Sequence, residues 1–285
     1  METIGTLRRN KNVSQSQKTT PYTIILAPNP SMMTGPGTNT IVLGGGVEGA
    51  TVIDPADDNE EHLEAIIREG AERGGIRRIL ITHGHPDHLG GAVKLRHMLQ
   101  HLGVSIYAYS REGTPDVDEE TPDGELFPAG DDVLQAIHTP GHRFDHLCYY
   151  LQQHQILFAG DLVAGVGTVV ISPPEGDLLD YLNSLKRLQS MNIVEMVPAH
   201  GPVITDPQAK LQEYITHRME REQQIIQVLQ SYAYGAVIGE MVPLIYVDVD
   251  PRLHPVAAHS VEAHLLKLER EGRVKRDGER WILTK

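Results

Sequence analysis

A chain of 285 residues is long enough for one large domain, or for a large domain with a small companion. Apolar residues make up 40% and charged residues 22%, and no apolar run approaches the roughly 18 residues that cross a bilayer, which excludes an integral membrane protein and a wholly disordered chain. Lys and Arg number 25 against 38 Asp and Glu, a formal net charge of -13, so only a local basic patch is left to hold nucleic acid. Cys148 is the single cysteine: no intrachain disulfide can form, no thiolate cage can hold a metal, and the residue reads as a small buried apolar one. The 15 histidines are the unusual feature, because imidazole binds a borderline-soft metal without sulfur.

Residues 1–20 are polar and mildly basic and lack the apolar centre of a secretory signal, which predicts a flexible N-terminal arm. Arg8, Arg9, Lys11 and the serines faintly resemble a transit segment to the mitochondrial matrix, but no amphipathic period supports it, so a cytoplasmic location is expected. Short apolar runs at 23–26, 40–43 and 51–53, separated by turns rich in Pro, Gly and Asn, predict a meander of buried strands. Leu63, Ile66 and Ile67 at helical spacing predict a helix over 60–70, and the strand at 78–81 completes a β-α-β unit. A helix over 92–102 follows, then strands at 105–109, 132–138, 146–151 and 155–158. Leu178, Leu179, Leu182, Leu185 and Leu188 form one helical stripe before a last strand at 194–197. Intermingled strands and helices argue for an α/β domain over residues 21–205.

Asp206-Pro207 is a helix start, and a connecting helix is expected over 206–235. Beyond it come two helical segments, the second with Val261, Leu265 and Leu268 on one face, and a basic hairpin with an Asp277-Gly278 turn. Helix, helix, basic hairpin predicts a winged helix over 236–285.

The run Thr82-His83-Gly84-His85-Pro86-Asp87-His88 puts four candidate metal ligands in six positions directly after a predicted strand. Imidazoles at i and i+2 on extended chain point to one side, and the turn into a helix redirects Asp87 and His88, so one loop can feed two adjacent metal positions. A metal site needs more ligands than this. His142 in Thr139-Pro140-Gly141-His142, Asp161 after Gly160, and His200 in Pro198-Ala199-His200-Gly201 each follow a predicted strand beside Gly or Pro. Singly each reads as an ordinary loop cap; together with the His83 loop they form a ligand set.

The set H-x-H-x-D-H, then His, Asp and His, resembles the metallo-β-lactamase superfamily over residues 23–205. The resemblance implies a four-layer αββα sandwich holding two zinc ions at the sheet edge, with Mn2+ or Fe2+ as substitutes. It implies that His83, His85 and His142 bind one ion, that Asp87, His88 and His200 bind the other, and that Asp161 bridges them. It also implies that Asp54 orients the ligand loop, and that Asp87 and Asp161 hold a metal-bridging hydroxide as nucleophile. Where Asp161 stands, one class of true β-lactamases has a cysteine ligand and another lacks the bridging acid. His85 stands where flavodiiron oxidoreductases have a glutamate, so hydrolysis is expected over electron transfer. The chain looks instead like the glyoxalase II and β-lactamase-like endoribonuclease branches, the latter also ending in a winged helix, and the likeness extends to fungal thioesterases acting on carrier proteins.

The expected activity is therefore hydrolysis of single-stranded RNA, with a thioester or ester hydrolase as the alternative and a non-enzymatic winged-helix nucleic-acid binder as the third reading. From His264 onward seven Lys or Arg face four acids, a local balance of about +3 that could steer RNA toward the metals, with Trp281 or Tyr246 as a stacking surface. The competing reading of that hairpin is a solvated wing whose tryptophan closes a small core. Asn39, His146 and Tyr181 are candidate substrate contacts. His62, His97, His101, His154, His217, His254, His259 and His264 are expected to be ordinary surface or core histidines. No membrane partner is expected.

Overall fold

The computed structural model describes residues 21–284, so the arm expected at 1–20 lies outside the described residues, as does Lys285. A first sheet has six strands in sequential order: β1 (Tyr22–Leu26), β2 (Asn39–Gly44), β3 (Ala50–Ile53), β4 (Ile76–Leu80), β5 (Ser105–Ala108) and β6 (Glu119–Glu120). β1 to β3 pair antiparallel as the meander predicted, and β3 to β6 pair parallel. The β3–β4 crossover is α1 (Glu60–Glu72), capped by Asn59, and the ligand loop leads through α2 (Pro86–Leu89) into α3 (Ala92–Met98). α3 ends earlier than expected, its last turn tightening to a 3-10 turn over Gln100–Leu102 before Gly103 in the left-handed region.

The second sheet runs β11-β10-β9-β8-β7, with β7 (Leu126–Ala129), β8 (Asp132–His138), β9 (Leu147–Leu151), β10 (Ile156–Gly160) and β11 (Glu195–Pro198). Strands alternate faces with period two, and this alternation builds the layers. Ile41, Leu43, Ile53 and Leu80 meet Leu147, Tyr149, Leu151 and Phe158 between the sheets. Val42, Val52, Ile79 and Ile81 turn the other way onto α1 and α3 through Leu63, Ile66 and Leu95. On the far side Cys148, Leu157, Ala159 and Met196 pack under α4 (Leu178–Gln189) and α5 (Pro207–Gln230). The result is the four-layer αββα sandwich.

The C-terminal unit comprises α6 (Ile238–Ile245), α7 (His254–Arg270) and the hairpin β12 (Val274–Asp277) with β13 (Arg280–Leu283), a winged helix. Its core of Met241, Val242, Val261, Leu265, Leu268 and Trp281 also takes Ile225 and Leu229 from the far end of α5.

Candidate metal centre

β8 and β10 point the same way, because each is antiparallel to β9, and β11 is parallel to β10. Their C-terminal ends therefore gather the loops carrying His142, Asp161 and His200 at one edge of the sandwich. β3 and β4 bring Asp54 and the His83 loop to the same edge. All seven predicted ligands meet there. His83, His85, His142 and Asp161 form one group and Asp87, His88 and His200 another, and within each the ligand atoms all lie within 4.8 Å of one another. Asp161 stands between them: its Oδ2 is 3.6 Å from His142 Nε2, while its Oδ1 is 3.5 Å from His88 Nε2 and 3.3 Å from His200 Nε2.

Partners behind the rings decide which nitrogen faces inward. Thr82 Oγ1 donates to Asp54 Oδ2 at 2.7 Å, so it can only accept from His83 Nδ1 at 3.1 Å, leaving His83 Nε2 as a lone pair toward the site. His88 Nδ1 donates to Asp54 Oδ2 at 2.8 Å, and His142 Nδ1 donates to the Val170 carbonyl at 2.7 Å. Each ring is thus held by an acceptor that fixes its tautomer, the arrangement metal-bound histidines use. Asp54 also accepts the Thr82 backbone N–H at 2.8 Å, which ties it to the start of the ligand loop.

The electrostatics divide the two groups. Burial, reinforced by the charges of His88 and His142, holds His83 well below the ordinary imidazole range, and burial beside His142 and Arg143 takes His85 down to about 4. These are neutral ligands at pH 7. Burial opposes charge on His88 and His200 as well, but there the carboxylates win. Asp161 and Asp54 hold His88 well above its usual value, and Asp161 and Asp87 push His200 up to about 9. Burial would raise Asp161 in turn, yet His88 and His200 hold it well below the carboxylate range. Carboxylates that favour the charged form of the imidazoles beside them mark a place where a divalent cation can take over the positive charge, releasing protons as it binds. With the buried, unpartnered His88 Nε2 aimed between Asp87 and Asp161, the donor set fits a pair of cations.

The three candidate substrate contacts occupy other positions. His146 is fully buried, its Nε2 accepting the Asp161 backbone N–H at 3.0 Å and its Nδ1 meeting Thr139 Oγ1 at 2.9 Å. Tyr181 is fully buried and donates to the Leu162 carbonyl at 2.7 Å. Asn39 is buried and donates to the Pro198 and Gly201 carbonyls on either side of His200. His146 and Tyr181 brace ligand loops from behind, their polar atoms engaged by the protein, and the Asn39 amide nitrogen braces the His200 loop in the same way. Asp145, fully buried, does the same for the His83 loop: it accepts the Gly84 N–H at 3.0 Å and is held by Arg143 Nε at 2.8 Å. Sequence reasoning missed Thr82 and Val170. A hydroxyl trapped just past a buried strand needs a partner, which was a usable signal for Thr82. A backbone carbonyl offers no signal at all.

A family model described as the metallo-β-lactamase superfamily matches residues 33–200. The chain belongs to the metallo-β-lactamase superfamily. A second model, the β-lactamase-associated winged helix domain, matches residues 238–281. The chain is 35% identical over 266 residues to a "Beta-lactamase-like protein 2 homolog" of Drosophila melanogaster, covering 88% of each chain. It is 37% identical over 218 residues to an "Atrochrysone carboxyl ACP thioesterase" of Aspergillus chevalieri, covering 75% of this chain and 68% of the relative. Among solved structures, a metallo-β-lactamase family protein of Thermus thermophilus shares the fold at a TM-score of 0.74 and 21% identity, over 93% of this chain and 99% of that one. A superfamily member is a metal-dependent hydrolase, so the reading as a non-enzymatic binder falls. Among the described residues no helix is long and apolar enough to cross a membrane.

Proposed function

We propose that the protein is a two-zinc hydrolase of acyl thioesters. The observation that carries the two-ion reading is the position of Asp161, one oxygen toward each ligand group. Three imidazoles with one carboxylate suit zinc, and Mn2+ or Fe2+ are the substitutes that such a nitrogen and oxygen set accepts. Such a cation pair supplies Lewis acidity and a nucleophile drawn from water at neutral pH. The chain's own residues do the rest. Asp87 and Asp161 stay ionised and would accept hydrogen bonds from a water held between them, and His200 Nε2, 3.3 Å from Asp161, helps to orient that carboxylate. Asp87, with a side chain 30% exposed, marks the side from which a substrate arrives.

The choice of thioester over RNA rests on the wing and on the relatives. Lys267 and Arg273 grip the buried Glu222, Arg270 pairs with Asp177, and Arg280 pairs with Glu240. Trp281 is buried, and the Arg221 guanidinium lies 3.9 Å from the centre of the Tyr246 ring. The cations and aromatics expected to receive RNA are largely engaged within the protein, which weakens electrostatic steering of a polyanion by a chain of net charge -13. Relatives at 35–37% identity carry thioesterase names. RNA hydrolysis stays as the second reading because the C-terminal winged helix matches as well as the catalytic domain does. Incubating the zinc-loaded protein with an acyl-glutathione thioester and, separately, with labelled single-stranded RNA decides between them. Thiol release that Asp161→Ala abolishes is the expected result; RNA cleavage with an intact thioester transfers the assignment to the second reading.

A further inference from the structure

Residues 161–170 lead from the ligand Asp161 to Val170, whose carbonyl orients the ligand His142. The stretch has no regular secondary structure, yet helix side chains hold it at intervals. Tyr181 donates to the Leu162 carbonyl, Tyr214 accepts the Ala164 N–H at 2.9 Å and donates to the Gly167 carbonyl at 2.9 Å, and Arg218 Nη2 donates to the Val169 carbonyl at 2.6 Å. Tyr214 and Arg218 are one turn apart on the same face of α5, a helix beyond the stretch matched to the metallo-β-lactamase family.

Arg218 is the unusual member. It is 4% exposed, its Nε has no partner, and no carboxylate among the described residues forms an ion pair with it; its guanidinium rests 5.3 Å from the centre of the Tyr181 ring. Burying a cation without a counter-charge is costly, and an apolar side chain would fill the space more cheaply. What the charge adds is a charge-assisted hydrogen bond to one carbonyl. That carbonyl belongs to the peptide group immediately before Val170, so pinning it anchors the Val170 α-carbon, one residue step from the oxygen that meets His142 Nδ1. We infer that Arg218 is a positioning residue for His142, so that a helix beyond the stretch matched to the family tunes the His83, His85 and His142 site. The inference rests on the two-ion reading above.

The test titrates the metal-free, full-length chain with Co2+, following visible absorption, in wild type, Arg218→Met, Arg218→Lys, Tyr214→Phe and, as reference, His142→Ala; thermal melts of the metal-free proteins run alongside. Arg218→Met is expected to fold and to lose affinity tenfold or more for the one equivalent that His142→Ala also weakens, with the other equivalent unchanged. Arg218→Lys, which keeps a charged donor, should recover part of the loss. Equal binding of both equivalents by wild type and Arg218→Met overturns the inference. Should Arg218→Met fail to fold, Tyr214→Phe decides: it removes one oxygen from the same tether, and unchanged affinity for that equivalent overturns the inference. A wild-type chain that takes up fewer than two equivalents sinks the two-ion reading itself, a failure visible before any variant is compared.

Discussion

Asp54 has a backbone φ of 50°, a left-handed conformation that few residues other than glycine adopt, and its carboxylate receives Thr82 twice and His88 once. Asp54→Ala would leave a buried N–H and the His88 Nδ1 without acceptors. Competition with a chromophoric chelator should then show metal affinity lowered by about 10–100-fold, and wild-type affinity would contradict the role assigned to Asp54. Gly141 is constrained differently. Its φ is 137°, and a Cβ there would lie 2.2 Å from Tyr181 Cα, so Gly141→Ala must push the His142 loop off α4. Retention of wild-type activity by soluble Gly141→Ala protein would show that the loop tolerates displacement. The ligands themselves were legible at this scale because Asp and His after apolar strands are chemically conspicuous. A polar side chain beside a ligand, as at Asn39, His146 and Tyr181, reads the same in sequence whether it faces outward or braces backbone from behind; only tertiary contacts tell the two apart.

Most elements followed from periodicity, and the two strands that did not are both at sheet edges. β7 contains Pro128, which lacks an N–H and is tolerated because no strand pairs beyond β7; β6 is two glutamates, charged as edges often are. Neither carries the alternation that marks a half-buried strand. The β9–β10 turn depends on Asp132, which is buried and accepts the Gln153 and His154 backbone N–H groups at 2.9 and 3.1 Å. Burial alone would raise its pKa, but these bonds and those from His154 Nδ1 and Val133 lower it. A carboxyl whose folded pKa lies below its unfolded value of about 3.9 contributes stability that is present above that value and lost as pH falls through the folded one. Asp132→Ala should therefore cost about 2–3 kcal/mol at pH 7, and urea titrations should show the gap to wild type narrowing below about pH 4. A gap independent of pH would mean that the carboxylate charge contributes nothing to the turn.

Across the whole molecule, α5 is shared property: Leu211 and Tyr214 belong to the core of the catalytic sandwich, Ile225 and Leu229 to the core of the winged helix. Between them Glu222, fully buried, meets Lys267 at 2.7 Å and is also bonded by Arg273. Burial works against the Lys267 charge, yet Glu222 and Glu271 raise its pKa above the ordinary lysine value. Glu222→Ala leaves the buried Lys267 ammonium with the partly exposed Glu271 as its one remaining ion-pair partner and should cost about 1–3 kcal/mol, detected as an earlier thermal transition. An unchanged melting profile would show that the unit relaxes to hydrate Lys267. Charge counting along the chain saw a basic wing but could not see that α5 supplies its counter-ion from 45 positions upstream. The lone thiol has a practical corollary. Cys148 lies sealed beneath α4, and burial pushes it up to about 12, so it stays protonated and beyond the reach of alkylating dyes. The native chain is therefore already a silent background in which a cysteine placed at an exposed tip such as Val166 would be the sole labelling point, giving a fluorescent reporter beside the site without first removing anything.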